Sequence, residues 1–361
     1  MNQRIGYIDA IRGFTMFLVV FNHVLIHSFG KGPSTWSINE IFVTFRMPLF
    51  FFLSGFLMYK ANRFKNRISL GEFLSKKAKV QLIPTLIFSV LFALLMTVPY
   101  RSLLLDRFKN GYWFTYTLFF YFVIYAVGDF VISKCLRGRT KAIIGALFAF
   151  LIYAISKYSV VPSCPWFDSR FSNLIGIPNF QFFICFFFGA LARAYFGICE
   201  KALCKEWFVT TVMICFFLLQ FTLVTPFSKN WFFTNGMHTV YTLLQSLTGF
   251  VGIAAVFIFF RKHEDSIANS RIGGFLQYIG VRTLDIYLIH NILVFSDMHY
   301  VGRFMAQYPS IIMDLVIGIA VTCVIIGLCL LISSIIRCSD TLAKLLFGKV
   351  IKDSNLATDE K

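Results

Sequence analysis

The chain has 361 residues, 58% of them hydrophobic and only 14% charged, with a mean hydropathy of +0.73. Soluble domains carry roughly 25% charged residues, so this composition excludes a soluble globular protein and points to an integral membrane one. The formal net charge of +17 comes with no nucleic-acid-binding signature and no zinc-ligand spacing. Basic residues retained on the cytoplasmic face of a membrane account for it, and no nucleic-acid partner is expected.

Apolar windows of about 20 residues, the length a bilayer core requires, predict ten helical spans in chain order. They cover 8–29, 40–60, 81–99, 111–133, 142–158, 178–197, 207–225, 237–260, 273–296 and 310–336. The first is not a cleavable leader, because its apolar run is long and lacks a small-residue cleavage pattern. The expected fold is all-α and polytopic, one transmembrane domain over 1–351, with a disordered cytoplasmic tail at 352–361. Lysine and arginine crowd every second connection: Lys60 to Lys79, Lys134 to Lys141, Arg193 to Lys205, Arg261 to Arg271, and from Arg337 onward. The connections between them hold few. That bias predicts both termini on the cytoplasmic side, which ten spans satisfy. The nine cysteines are odd in number and form no CxxC pair, so they read as packing residues or free thiols.

The first span carries Asp9, Arg12, Asn22, His23 and His27 within "YIDAIRGFTMFLVVFNHVLIHSF". A charge at mid-membrane costs roughly 2.5 kcal/mol or more. Arg12 and His23 are separated by almost three helical turns, about 16 Å, so they share one face. That face must look into protein or a water-filled space. Asp9, three residues before Arg12, is placed to pair with it, and Arg282 and Asp285 are spaced to pair in the ninth span. With the N-terminus inside, His23, Arg46 and His290 fall at about 22, 21 and 25 Å from the inner surface on three different spans. A histidine and an arginine at one depth suit acyl transfer. A neutral imidazole takes a proton from an attacking hydroxyl, and a permanent cation suits phosphate or oxyanion charge. A metal pair of His23 and His27 has helical spacing but no convincing third ligand.

These residues stand in segments that resemble the acyltransferase-3 family of membrane acyltransferases. "IDAIRGFTMFLVVFNH" is similar to the family's first helix, with Arg, ten residues, then His. "FRMPLFFFLSGFLMYK" resembles the second, and "FLSKKAKVQLIPTLIF" the basic stretch entering the third. "YWFTYTLFF" resembles the opening of the fourth and "IGVRTLDIYLIHNILV" a late segment. The resemblance implies about ten helices around a central cavity. It implies transfer of an acyl group, commonly acetyl from acetyl-CoA, to hydroxyls of exported carbohydrate such as O-antigen or capsule. Two positions depart from the pattern. Arg46 stands where many relatives have His, and Gln81 follows Lys76, Lys77 and Lys79 where an arginine is common.

The expected site therefore has His23 as general base or acyl relay, with Arg12, Lys77 and Lys79 holding the acyl-CoA donor. Arg46, His290 and Asn22 lie on the oxyanion or acceptor side. No cofactor is expected to be bound, acetyl-CoA acting as co-substrate, and the acceptor is a glycan or lipid-linked sugar reached from the outer face of a plasma membrane. Trp36, Trp113 and Trp231 are candidate sugar-stacking residues or interfacial anchors. The alternative is a transporter or flippase of a polar solute that forms no ester. The lack of an internal repeat and the scarcity of mid-membrane acids weigh against it.

Overall fold

The computed structural model describes residues 5–30, 39–64, 66–136, 138–158, 169–224, 226–294, 299–307 and 310–348. The tail expected at 352–361, Trp36 and Cys164 lie outside the described residues. The protein is 89% helical and has no strand among the described residues. Nine helices there are long and apolar enough to cross a membrane. They are α1 (Gly6–Ser28), α2 (Glu40–Met58), α3 (Arg67–Leu95), α4 (Trp113–Cys135), α5 (Gly138–Lys157), α6 (Ile177–Ala194), α7 (Glu206–Leu223), α8 (His238–Lys262) and, at the end of the series, Ile311–Arg337.

The expected ninth span is not one helix. It is α9 (Arg271–Val281) followed by α10 (Thr283–Val294), and Ile311–Arg337 is α11. At the joint Arg282 has φ −102° and ψ 15°, and its guanidinium lies 3.9 Å from the ring centroid of Tyr278. The third span also differs from expectation. It starts at Arg67, not near 81, because Asn66 caps the helix: its side chain accepts from the Ser69 N–H at 2.8 Å, and Ser69 reciprocates. The basic stretch of Lys76, Lys77 and Lys79 is thus helical, with a π turn at Ala78–Leu82.

Two helix pairs pack backbone against backbone. A Cβ on Gly13 would sit 1.9 Å from the Leu276 carbonyl oxygen, and one on Gly280 1.9 Å from that of Asp9. Gly55 and Gly189 bring α2 and α6 together in the same way, against Phe186 and Phe52. Close approach at small residues is how helices associate where lipid removes the hydrophobic drive between them. The α1–α9 contact fixes the height of the joint at Arg282, and α10 then runs beside the upper half of α1.

The expected Arg282–Asp285 pair is not the one formed. Asp285 accepts from Arg337 Nε and Nη2, both at 2.8 Å, and from Ser333 Oγ at 2.6 Å. Asp285 is 1% exposed, so this forked ion pair locks α10 onto α11 inside the bundle. Arginine meets carboxylate in two parallel bonds here, a geometry that a partner three residues away on one helix does not offer. The eight described cysteines are free thiols.

The glycine contact is testable within one helix. Gly280→Ala must push α9 off α1 and should cost about 1–3 kcal/mol, lowering the thermal midpoint of the purified protein. Gly274→Ala, with nothing within 4 Å of the added carbon, should leave the midpoint unchanged or raise it. Equal midpoints for the two variants would contradict the packing account.

Candidate active site

His23 ends the regular part of α1, and the chain continues as a π turn over Val24–Ser28. Such turns recur at functional sites because the widened backbone re-aims side chains. Ser28 Oγ donates to the Val294 carbonyl at 2.8 Å, tying this turn to the end of α10. His290, fully buried on α10, then faces His23, with its Nε2 3.2 Å from His23 Nδ1. Its other nitrogen, Nδ1, lies 3.0 Å from the Ile286 carbonyl oxygen.

This geometry assigns the protons of a neutral pair. A carbonyl oxygen only accepts, so His290 carries its hydrogen on Nδ1. Its Nε2 is then an acceptor, and His23 must donate from Nδ1. The remaining nitrogen, His23 Nε2, is left as a lone pair. The His23 side chain is partly accessible, whereas His290 is closed off.

Other groups complete the surroundings. Arg46 and His27 lie close enough to act electrostatically on His23, and the His23 and His27 rings meet edge to face at 5.4 Å. Asn22 is buried. Asn291 lies beside His23 and is 0% exposed. Neither of its polar side-chain atoms has a partner in good hydrogen-bond geometry. Its carboxamide also abuts Gly111, where an added Cβ would fall 2.4 Å from Nδ2.

The loop before α4 supports α10 from the other side. Tyr287 donates to the Gly111 carbonyl at 2.7 Å and accepts from the Phe114 N–H at 3.2 Å. Tyr112 donates to the Leu288 carbonyl at 3.0 Å. Lys109, Asn110 and Gly111 all have positive φ, at 49°, 50° and 95°. Two consecutive non-glycine residues in this region carry strain that the surroundings must hold. Lys109 does so: it is 3% exposed, and its Nζ donates to the carbonyls of Leu104 and, at 2.5 Å, Asn173. Burial pushes its ammonium pKa down to about 8, against the pull of Asp106.

Arg12 lies lower on α1. It pairs with Asp9 at 3.0 Å and donates from Nη2 to Thr283 Oγ1 at 2.7 Å, yet 27% of its side chain stays accessible. Lys77 Nζ rests 3.7 Å from the Phe122 ring centroid, and Lys79 is exposed. The structure thus brings His23, His290 and Arg46 together and sets Arg12 at the joint between α9 and α10. Trp113 packs among aromatic rings including Phe51 and Phe182, and Trp231 is half exposed beside Phe232. Thr283, Tyr287, Asn291 and Gly111 escaped the sequence reading. Tyr287 and Asn291 stand three before and one after His290 in a segment already singled out, but nothing in their spacing shows what they touch.

The structure is thus that of a polytopic membrane protein with two imidazoles in contact at membrane depth. The family model described as an acyltransferase domain, Acyl_transf_3, matches residues 5–334. The chain belongs to that family and is a multi-pass membrane acyltransferase. No curated protein and no solved structure matches it.

Tyr287→Phe removes one hydroxyl and leaves Gly111 O and Phe114 N–H without their partner. It should destabilise the protein by about 1–3 kcal/mol and lower turnover, while insertion into the membrane is retained. An unchanged thermal midpoint would show that the loop before α4 does not depend on α10.

Proposed function

We propose that this acyltransferase moves an acetyl group from cytoplasmic acetyl-CoA to a hydroxyl of an exported or lipid-linked glycan, with His23 as general base. The observation that carries the reading is the chain from the Ile286 carbonyl through His290 to His23, since it leaves a lone pair on His23 Nε2. The segments that resemble the family supply the choice of donor and acceptor. The basic connections support a cytoplasmic position for both termini, and with it donor access from the Arg12 end of α1.

In this reading the acceptor hydroxyl gives its proton to His23 Nε2 as its oxygen attacks the thioester carbonyl. The tetrahedral oxyanion faces Arg46 and the carboxamide of Asn291, two groups flanking the imidazole. Collapse breaks the carbon–sulfur bond, and the CoA thiolate takes the proton back from the His23 imidazolium. The products are an O-acetyl ester and free CoA. His290 has both nitrogens engaged, so its role is to hold His23 in one tautomer and orientation, not to touch the acceptor. Arg12 keeps accessible N–H groups for the donor's phosphates while Asp9 and Thr283 fix its position, and Lys77 and Lys79 add charge at that end.

The test is acetyl-CoA-dependent release of CoA by purified protein given glycan acceptor. His23→Ala should lower turnover at least 100-fold with normal abundance in the membrane. His290→Ala should lower it less, and His290→Gln should recover part of that loss, because the Gln carbonyl can still accept from His23 Nδ1. Full activity in His23→Ala would end the proposal. Identical losses in His290→Ala and His290→Gln would remove the positioning role.

A further inference from the structure

A second pocket lies away from the histidines. A cavity of about 810 Å³ lies where α2, α4 and α6 end and α5 begins, and none of Arg12, His23, Arg46 or His290 lines it. Those helix ends are all on the side of the membrane that holds the start of α1.

The rim is polar and net positive: Lys60, Lys134 and Lys141 stand against Asp129. Lys141 reaches Asp129 at 2.6 Å and Ser133 Oγ at 2.7 Å. Lys134 lies 4.5 Å from the Phe130 ring centroid. Tyr59 and Tyr195 add hydroxyls at the same level. Burial and the Asp129 charge push the Tyr59 pKa up, so it is a neutral donor at physiological pH.

The deeper wall is apolar, with Ile124, Phe183, Phe187 and Leu191. Gly128 forms part of it, and a Cβ there would meet nothing within 4 Å. The side wall includes Phe148, which lines the cavity and is also 42% exposed. A large apolar side chain this exposed on a spanning helix is lipid-facing, so the cavity reaches the bilayer at Phe148 as well as the aqueous side at its lysines.

We propose that this cavity binds an anionic phospholipid of the leaflet on that side, its phosphodiester on Lys60, Lys134 and Lys141 and an acyl chain against the aromatic wall. Basic pockets between transmembrane helices suit acidic headgroups. The lysines supply point charges for phosphate, and the apolar wall rewards burial of a chain that free phosphate lacks. The lateral opening gives a membrane lipid access without leaving the bilayer. The site is independent of the acyl-transfer chemistry at His23.

The experiment reads lipid occupancy of the full chain. Protein in phosphatidylcholine nanodiscs is titrated with phosphatidylglycerol, coenzyme A or inorganic phosphate, and amine labelling of Lys60 and Lys134 is followed by mass spectrometry. Phosphatidylglycerol should protect both lysines, and coenzyme A and phosphate at the same concentration should not. The double variant Lys60→Gln/Lys134→Gln should lose about 25-fold in phosphatidylglycerol affinity, roughly fivefold per lysine, as read by native mass spectrometry. Gly128→Phe should displace the lipid by filling the cavity while both lysines remain. Labelling unaffected by phosphatidylglycerol, protection by coenzyme A or phosphate alone, or full lipid retention in Gly128→Phe would each overturn the proposal. The labelling arm uses unaltered protein, so it decides even where a variant fails to fold.

Discussion

The site depends on one hydrogen bond, from His23 Nδ1 to His290 Nε2, and on the carbonyl of Ile286 that makes it directional. A backbone carbonyl within a helix cannot donate, so it orders both imidazoles at once. Water could do the same in a soluble enzyme. At membrane depth water is scarce, and a polar group must find its partner in the protein. The two histidines satisfy each other, and the nitrogen left over is His23 Nε2, the base of the proposed reaction.

That bond requires α1 and α10 to meet at the right height. The backbone contact at Gly13 and Gly280 sets where α9 stops, and the joint at Arg282 starts α10 on a new line. Arg12 ties the joint to α1 through Thr283, and Arg337 grips Asp285 from α11. Tyr287 then braces α10 against a loop with three consecutive positive-φ residues. Several costly features, the buried Asp285 and Lys109 and the strained backbone at Lys109 and Asn110, sit on connections that hold His290 in place. These are positions where a purely apolar bundle would gain stability and lose the site.

Much of this was legible in the sequence. The spans follow from apolar run length, and nine of the expected ten are continuous helices. The common depth of His23, Arg46 and His290 follows from counting residues inward from each span end, since depth is a one-dimensional quantity that helix rise supplies, but whether those faces meet does not. Azimuth is not. Asp285 sits three residues from Arg282, yet its partner is Arg337, 52 residues on. Only the rotation of α10 toward α11 decides that. The break at Arg282 is likewise silent in composition, because no proline or glycine marks position 282 or 283. Asn291 is an ordinary amide until Gly111 and His23 are seen on either side of it. The early start of α3 was open to a sequence reading, since "NRIS" carries the Asn and Ser of a capping box, but the lysines that follow read as a loop.

The most direct measurement is solid-state NMR of the protein labelled with ¹⁵N-histidine in bilayers, with His23→Ala and His290→Ala used for assignment. The account predicts that both imidazoles are neutral and protonated on Nδ1, with His23 Nε2 showing the shift of an unprotonated nitrogen. A His23 ring protonated on Nε2, or no correlation between the two rings, would contradict it.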